Sequence, residues 1–141
     1  MSAAKTFLDT NVLLYLLSAD SAKADRAEAV VASGGIISVQ VLNEFASVAA
    51  RKLAMSVAEI RDVLAPIRAL CPIEALTSTT HDEALDLMER YGFSLYDAMI
   101  VAAAKLANCD KLYSEDMHNG QTLSSGLIIQ NPFADDFAWP A

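Results

Sequence analysis

Short apolar runs of strand length alternate with longer stretches of helical periodicity along almost the whole chain. The pattern predicts strands at residues 5–8, 36–38, 72–76, 111–113 and 127–129. Strands separated by helices pair in parallel, because each crossover returns the chain to the same edge of the sheet. The order therefore predicts an α/β fold with three layers, α/β/α, whose mostly parallel central sheet has about five short strands.

The segments between the strands carry helix signals. Helices are predicted at residues 12–17, 22–32, 39–53, 57–70, 79–91 and 94–107. Thr10 or Asn11 is expected to cap the first helix. Ser38 is placed to cap the third, and Pro66 is expected to kink or divide the fourth. The last helix is apolar on nearly all sides, which predicts a central, buried position.

The composition is that of one folded domain covering residues 1–141. Hydrophobic residues make up 54% and charged residues 20%, which excludes an intrinsically disordered chain. Cys71 and Cys109 lack the spacing of a zinc site or a disulfide framework, so we expect buried thiols in a reducing compartment. The apolar run at 12–17 is too short to cross a bilayer. We expect a cytoplasmic protein with no membrane segment.

The net charge of −8 opposes contact with nucleic acid, whose phosphates are normally bound by Lys and Arg. The ten Lys and Arg residues form no run, and Arg51-Lys52 is the only adjacent basic pair. Divalent metal bound by several carboxylates would reverse this local electrostatic balance. Net charge alone therefore does not exclude a nucleic-acid substrate.

Four acids occupy positions where a charge is costly or where ligands bind. Asp9 follows the first predicted strand and Asp116 follows the fourth, and open α/β sheets bind ligands at such carboxyl ends. Glu44 lies on the apolar stripe of its helix, and Asp97 lies in the first turn of the buried helix. An unpaired charge is expensive there. Together the four acids suggest one cation-binding site.

Each acid also has an ordinary structural explanation. Glu44 can extend toward solvent or pair with Arg51. Asp97 and Ser94 have the spacing of a capping box, in which an acid gains from the helix dipole without doing chemistry. Asp116 can be an ordinary loop acid.

Several neighbours of these acids matter for the same hypothesis. Glu115 competes with Asp116 for the position of the fourth acid in the cation-binding site. Asp116 is preferred, partly because the Ser114 hydroxyl lies two residues before it. Asn11 is suited to hold the Asp9 carboxylate or a metal-bound water, with a helix cap as the alternative. Thr10 and Ser114 are similar supporting candidates.

Four motifs thus stand in order along the chain: Asp9-Thr10-Asn11 after a strand, Glu44 in a helix, Ser94-Leu95-Tyr96-Asp97-Ala98 opening a helix, and Ser114-Glu115-Asp116 after a strand. In this order and spacing they resemble the PIN-domain family. At this length the chain is similar to the VapC-type ribonuclease toxins of toxin–antitoxin pairs, and the resemblance covers nearly the whole sequence.

The resemblance implies a metal-dependent endoribonuclease that hydrolyses RNA phosphodiester bonds. It implies that an acidic cluster holds Mg²⁺ or Mn²⁺, formed by Asp9, Glu44, Asp97 and Asp116. Thr10, Asn11 and Ser114 would hold that cluster in place. The family also implies a homodimer and a cognate antitoxin as partners.

Two other readings stay open at this point. A phosphatase of the haloacid dehalogenase type also places an Asp after its first strand, but it needs a second Asp where this chain has Asn11. A non-catalytic PIN-like module would bind RNA or protein and use the acids as caps and ion pairs. Near the C-terminus, Phe133, Phe137 and Trp139 are predicted to anchor the tail on the core, with an antitoxin contact as the alternative.

Overall fold

The computed structural model describes residues 5–138. Its strands are β1 (Thr6–Leu8), β2 (Ile37–Ser38), β3 (Ile73–Glu74), β4 (Lys111–Tyr113) and β5 (Ile128–Gln130). β1, β4 and β5 form one parallel sheet, and β2 pairs in parallel with β3. A parallel bridge between Phe7 and Ile36 joins the two sheets in the order β3-β2-β1-β4-β5. The predicted α/β fold with a parallel central sheet is confirmed.

The helices are α1 (Thr10–Leu14), α2 (Ser21–Ala32), α3 (Val39–Lys52), α4 (Val57–Leu70), α5 (Ser78–Tyr91) and α6 (Leu95–Leu106). A 3₁₀ turn, Tyr15–Leu17, follows α1, so the first predicted helix is two short elements. α4 runs through Pro66 as one helix, so the division that Pro66 was expected to cause does not occur. One missing N–H donor does not end a helix whose other turns remain bonded and packed.

The caps of α3 and α6 are the serines that the sequence indicates, whereas the cap of α1 is not one of the expected residues. Ser38 caps α3, and Gly92 ends α5 in the left-handed region at φ 77°. The cap of α1 is Asp9, not Thr10 or Asn11, because Asp9 is the single residue between the end of β1 and the first residue of the helix. At α6 the Ser94 hydroxyl accepts from the Asp97 N–H at 3.3 Å. Within residues 5–138 the Asp97 carboxylate makes no return hydrogen bond, so only half of the expected capping box forms.

The core is centred on β1, β4 and α6. Phe7, Leu8 and Leu112 are fully buried, and the α6 residues from Ile100 to Ala104 are buried on all sides as predicted. Both cysteines are free and buried. No helix in the described part of the chain is long and apolar enough to cross a membrane.

The C-terminal segment packs as an anchor over the part that can be described. Phe133 and Phe137 pack against the core, and their rings contact Tyr15 and Tyr113 with centroid separations of 4.5 and 5.3 Å. Trp139 lies outside the described residues. The anchoring prediction is therefore confirmed for the two phenylalanines.

Candidate metal centre

The ends of two neighbouring strands bring the first predicted residues together. β1 and β4 are parallel, with Leu8 opposite Tyr113, so Asp9 and Ser114 leave the sheet side by side. The Ser114 hydroxyl donates to Asp9 Oδ2 at 2.7 Å, and Ser114 has no exposed surface. Residues far apart in the sequence therefore meet at the carboxyl edge of the sheet, as the strand pattern predicts.

The Asp9 carboxylate is buried and held by hydrogen-bond donors. It is only 5% exposed. Oδ1 accepts from the Thr10 N–H at 2.7 Å, and Oδ2 accepts from Ser114 and, more weakly, from the Asn11 amide at 3.4 Å. Among the described residues it forms no salt bridge. Its charge is oriented by the chain but not neutralised by it.

Asn11 connects the two acidic loops. Its Nδ2 group lies 3.1 Å from Asp116 Oδ2 and 3.3 Å from Ser114 Oγ, and its Oδ1 accepts from the Glu115 N–H at 3.2 Å. The predicted contact with Asp9 is present, although at 3.4 Å it is the longest of these contacts. Asn11 therefore fixes the loop after β4 relative to the start of α1.

Glu44 faces the same region from α3. Oε2 accepts from the Thr10 hydroxyl at 2.7 Å, and Oε1 accepts from the Gln40 amide at 2.8 Å. The alternative pairing with Arg51 does not form, because Arg51 Nε donates to Ser47 Oγ at 3.0 Å. Glu44 is thus held inward by two neutral donors.

Glu115 and Asp116 point to different surroundings. Glu115 accepts a hydrogen bond from the Tyr15 hydroxyl and forms a salt bridge with Lys23 at 3.4 Å. Asp116 is exposed and lines a cavity with the other acids, whereas Glu115 does not. The structure therefore distinguishes Asp116, which lines the cavity, from Glu115, which does not, a choice that the sequence spacing left open.

All four predicted acids line one open cavity of about 660 Å³. The remaining lining residues are Thr10, Asn11, Leu14, Gln40, Asn43, Ser47, Val48, Arg51 and Tyr96. Ser114 lies behind Asp9 and does not line the cavity. Across residues 5–138, no three His, Cys, Asp or Glu side chains are already arranged to hold one metal ion together. The acids therefore surround the cavity from several elements without converging on one point.

Burial and mutual repulsion perturb two of the carboxyl groups. Burial raises the pKa of Asp9 to about 6, with smaller contributions from the charges of Glu44 and Asp97, against the opposing hydrogen bonds of Ser114 and Thr10. The pKa of Asp97 is also raised, chiefly by burial, and the charges of Glu44 and Asp116 add to the effect while Ser94 opposes it. A cation in the cavity would relieve this repulsion.

Sequence reasoning missed a polar stripe on α3 and one aromatic side chain on α6. Gln40, Asn43, Ser47 and Arg51 line the cavity beside Glu44. Their spacing of three or four residues, which places them on one helix face with Glu44, was the available signal. The aromatic side chain is Tyr96, which precedes Asp97. No periodicity marked it, because a single exposed ring has no pattern of its own.

The PIN domain family model matches residues 6–118, well over half of the chain. The protein therefore belongs to the PIN domain family. This assignment leaves no support for the haloacid dehalogenase alternative. No curated protein matches the sequence.

Solved structures with similar folds include proteins of toxin–antitoxin pairs. A chain of a toxin–antitoxin complex from Klebsiella pneumoniae is 19% identical with a TM-score of 0.68, over 92% of this chain and 98% of that chain. A chain of VapBC2 from Rickettsia felis, bound to a promoter DNA fragment, is 20% identical with a TM-score of 0.63, over 89% of this chain and 97% of that chain. VapC20 from Mycobacterium tuberculosis, a toxin that cleaves the sarcin–ricin loop, is 20% identical with a TM-score of 0.61, over 79% of this chain and 90% of that chain. At these identities the likeness concerns the fold.

Proposed function

We propose that the protein is a metal-dependent endoribonuclease, acting in the cytoplasm as the toxin of a toxin–antitoxin pair. One observation carries the proposal: in a PIN domain, Asp9, Glu44, Asp97 and Asp116 line one cavity, and none of them has a salt-bridge partner among residues 5–138. Acids that serve only as caps or ion pairs would not need a common cavity. This favours a nuclease over a non-catalytic binding module.

The donor chemistry fits Mg²⁺ or Mn²⁺. Both are hard cations that prefer carboxylate oxygens, and Mg²⁺ commonly binds through one or two carboxylates while it keeps several waters. Such an ion does not need three protein ligands already in contact, which agrees with acids spread around the cavity. Asp9 and Asp97 are the principal ligands in this proposal, and Glu44 and Asp116 are further ligands or position water.

The surrounding side chains keep these acids in place. Ser114 and the Thr10 N–H fix the direction of the Asp9 carboxylate, and the Thr10 hydroxyl holds Glu44. Asn11 ties Asp116 to the same frame. When bound, the divalent ion supplies a Lewis acid and an activated water for phosphodiester hydrolysis. Because the ligand directions are set before substrate arrives, little reorganisation is needed at the reaction step.

The partners of the proposed toxin follow from the same family. Its substrate is RNA, its inhibitor is a cognate antitoxin protein, and its active form is a homodimer. The antitoxin is supported by the toxin–antitoxin complex from Klebsiella pneumoniae and by VapBC2 from Rickettsia felis, each of which contains a chain with this fold. The RNA substrate is supported by VapC20 from Mycobacterium tuberculosis, a toxin of similar fold that cleaves the sarcin–ricin loop.

The deciding experiment is cleavage of mixed cellular RNA by the purified full chain in Mg²⁺, in Mn²⁺ and in EDTA. Groups that only orient metal ligands typically contribute about 10–100-fold to metal affinity or activity. Asp9 and Asp97 are proposed as the ligands themselves, so Asp9→Asn and Asp97→Asn should each lower cleavage by at least about 100-fold. Asp116→Asn should also reduce it. Glu115→Gln is the matched control, because this neighbouring acid is bound by Tyr15 and Lys23 outside the cavity.

Cleavage that persists in EDTA would contradict a metal centre. If neither metal supports cleavage and calorimetry detects no Mg²⁺ or Mn²⁺ binding, the acids are structural and the protein is a binding module. Glu115→Gln losing as much activity as Asp116→Asn would reverse their assigned roles.

A further inference from the structure

Tyr96 is an exposed aromatic ring at the edge of the acidic cavity. Its side chain is 63% exposed, although it lies on α6, whose later residues are almost entirely buried. Across residues 5–138 the ring stacks on no other aromatic side chain and its hydroxyl makes no hydrogen bond. Leu14 and Val48 line the same cavity and are only partly buried. Tyr96, Leu14 and Val48 therefore give the cavity an apolar surface that the described part of the chain leaves accessible.

Arg51 is the one cationic residue that lines this cavity, among all Lys and Arg residues in the described chain. It forms no salt bridge there, despite sharing the cavity with four acids, and its Nε atom is held by Ser47 one helical turn earlier. A guanidinium group that is positioned but not neutralised is suited to a phosphate, which it contacts through two parallel hydrogen bonds.

The cavity thus combines three kinds of recognition surface. Its volume of about 660 Å³ is within the usual range for small-ligand sites. Acids form one part, and the amides of Gln40 and Asn43 lie with Arg51 along α3. An aromatic ring, a fixed cation and neutral amides are the groups by which proteins bind single-stranded nucleic acid, through base stacking and phosphate contacts.

We propose that Tyr96 and Arg51 form a nucleotide-binding rim, in which a base of single-stranded RNA stacks on Tyr96 while Arg51 contacts a backbone phosphate. The inference rests on the proposed nuclease function and names how its substrate is held. Because Tyr96 directly precedes Asp97 and both line the cavity, the stacked nucleotide lies next to the acids. A base in a duplex has no free face for such stacking, so the rim selects unpaired segments.

The test measures binding separately from cleavage. A short fluorescein-labelled single-stranded RNA and an abasic phosphodiester chain of equal length are titrated against the full chain by fluorescence anisotropy, with Ca²⁺ replacing Mg²⁺. Tyr96→Ala should weaken RNA binding about 10–100-fold, the range for one base stacked on an aromatic ring, and should leave abasic binding unchanged. Tyr96→Phe should bind RNA like the unmodified protein, because the ring is retained.

Arg51→Gln should weaken binding of both probes and lower the salt dependence by about 0.7 in the slope of log K against log salt, the value for one single-strand phosphate contact. Leu95→Ala and Lys52→Gln are matched controls. Each is the sequence neighbour of a rim residue, and neither residue lines the cavity. Both controls should bind like the unmodified protein.

The proposal is overturned if neither probe binds, if Tyr96→Ala and Arg51→Gln bind both probes normally, or if Tyr96→Ala weakens both probes equally. Normal binding by both variants would instead assign the exposed ring to a protein partner. Failure of the nuclease function gives a different result: no cleavage in Mg²⁺ or Mn²⁺, with the rim pattern of RNA binding still present.

Discussion

The two sides of the cavity are built in different ways. The inner wall is formed by Asp9, Thr10 and Asn11, with Ser114 behind it. Hydrogen bonds of 2.7 to 3.3 Å hold these residues together at the carboxyl ends of β1 and β4. The rim, formed by Arg51 and Tyr96, is exposed and makes one side-chain hydrogen bond, from Arg51 to Ser47, within residues 5–138. Fastened groups set geometry before a ligand arrives, whereas free groups keep their interactions for the ligand. Substitutions should therefore affect stability at the inner wall and binding at the rim.

Ser114→Ala should have the largest effect on stability. The hydroxyl is fully buried, donates to Asp9, and accepts from the backbone N–H groups of Asp116 and Met117 at 3.3 Å each. Its removal leaves a buried carboxylate and two N–H groups short of a partner, which should lower the free energy of unfolding by about 3 kcal/mol. Urea denaturation measures the change, and Ser125→Ala in an exposed loop is the control. A loss under about 1 kcal/mol would mean that water replaces the hydroxyl.

Asp9→Asn should stabilise the metal-free protein at neutral pH. Burial raises the pKa of Asp9 from 3.8 to about 6, so the folded state binds more protons than the unfolded state between these values. The contribution of Asp9 to the stability of the folded state is therefore full below about pH 4 and is lost as the pH rises through about 6. The upper limit of the gain on substitution is about 3 kcal/mol, and lost hydrogen bonds reduce it to about 1–2 kcal/mol.

Denaturation of both proteins in EDTA at pH 4 and at pH 7.5 checks this prediction. The free energies of unfolding of the unmodified protein and of Asp9→Asn should be nearly equal at pH 4, and Asp9→Asn should be the more stable at pH 7.5. Asp116→Asn is the control, because its carboxyl group is exposed. Equal stabilities at both pH values would show that the carboxylate is not strained by its burial.

Thr10→Val should have a smaller effect. The substitution keeps the shape of a buried side chain and removes the hydroxyl that donates to Glu44 at 2.7 Å. Glu44 keeps its bond from Gln40, so the expected loss is about 1 kcal/mol, with a reduced cleavage rate because Glu44 is less fixed. Thr10→Ser retains the hydroxyl and should restore the rate. If Thr10→Ser and Thr10→Val cleave equally slowly, the methyl group matters and the hydrogen bond does not.

Tyr96→Ala and Arg51→Gln should have the smallest effect on stability. Both side chains are exposed, and such substitutions usually change the free energy of unfolding by less than about 0.5 kcal/mol. Thermal melts at matched pH measure it. A large loss in either variant would show that the rim is part of the packed structure, and the contrast between the two sides of the cavity would disappear.

Much of the fold was predictable because its signals are local. Ser38 and Ser94 cap their helices as their positions indicate, and Gly92 ends α5 in the left-handed conformation that glycine favours. The start of α1 was harder, since Asp9, Thr10 and Asn11 are all good cap residues. Only the register of β1 against β4 decides that the helix begins directly after Asp9.

The sequence by itself determined the alternation of strands and helices and the four acids at element ends or on helix faces. Those features depend on periodicity and on residues close in the chain. Only the tertiary structure decided that Asp116 rather than Glu115 faces the cavity, that Arg51 does not pair with Glu44, and that Tyr96 is left uncovered. Such choices depend on contacts between distant segments, whose geometry no local pattern encodes.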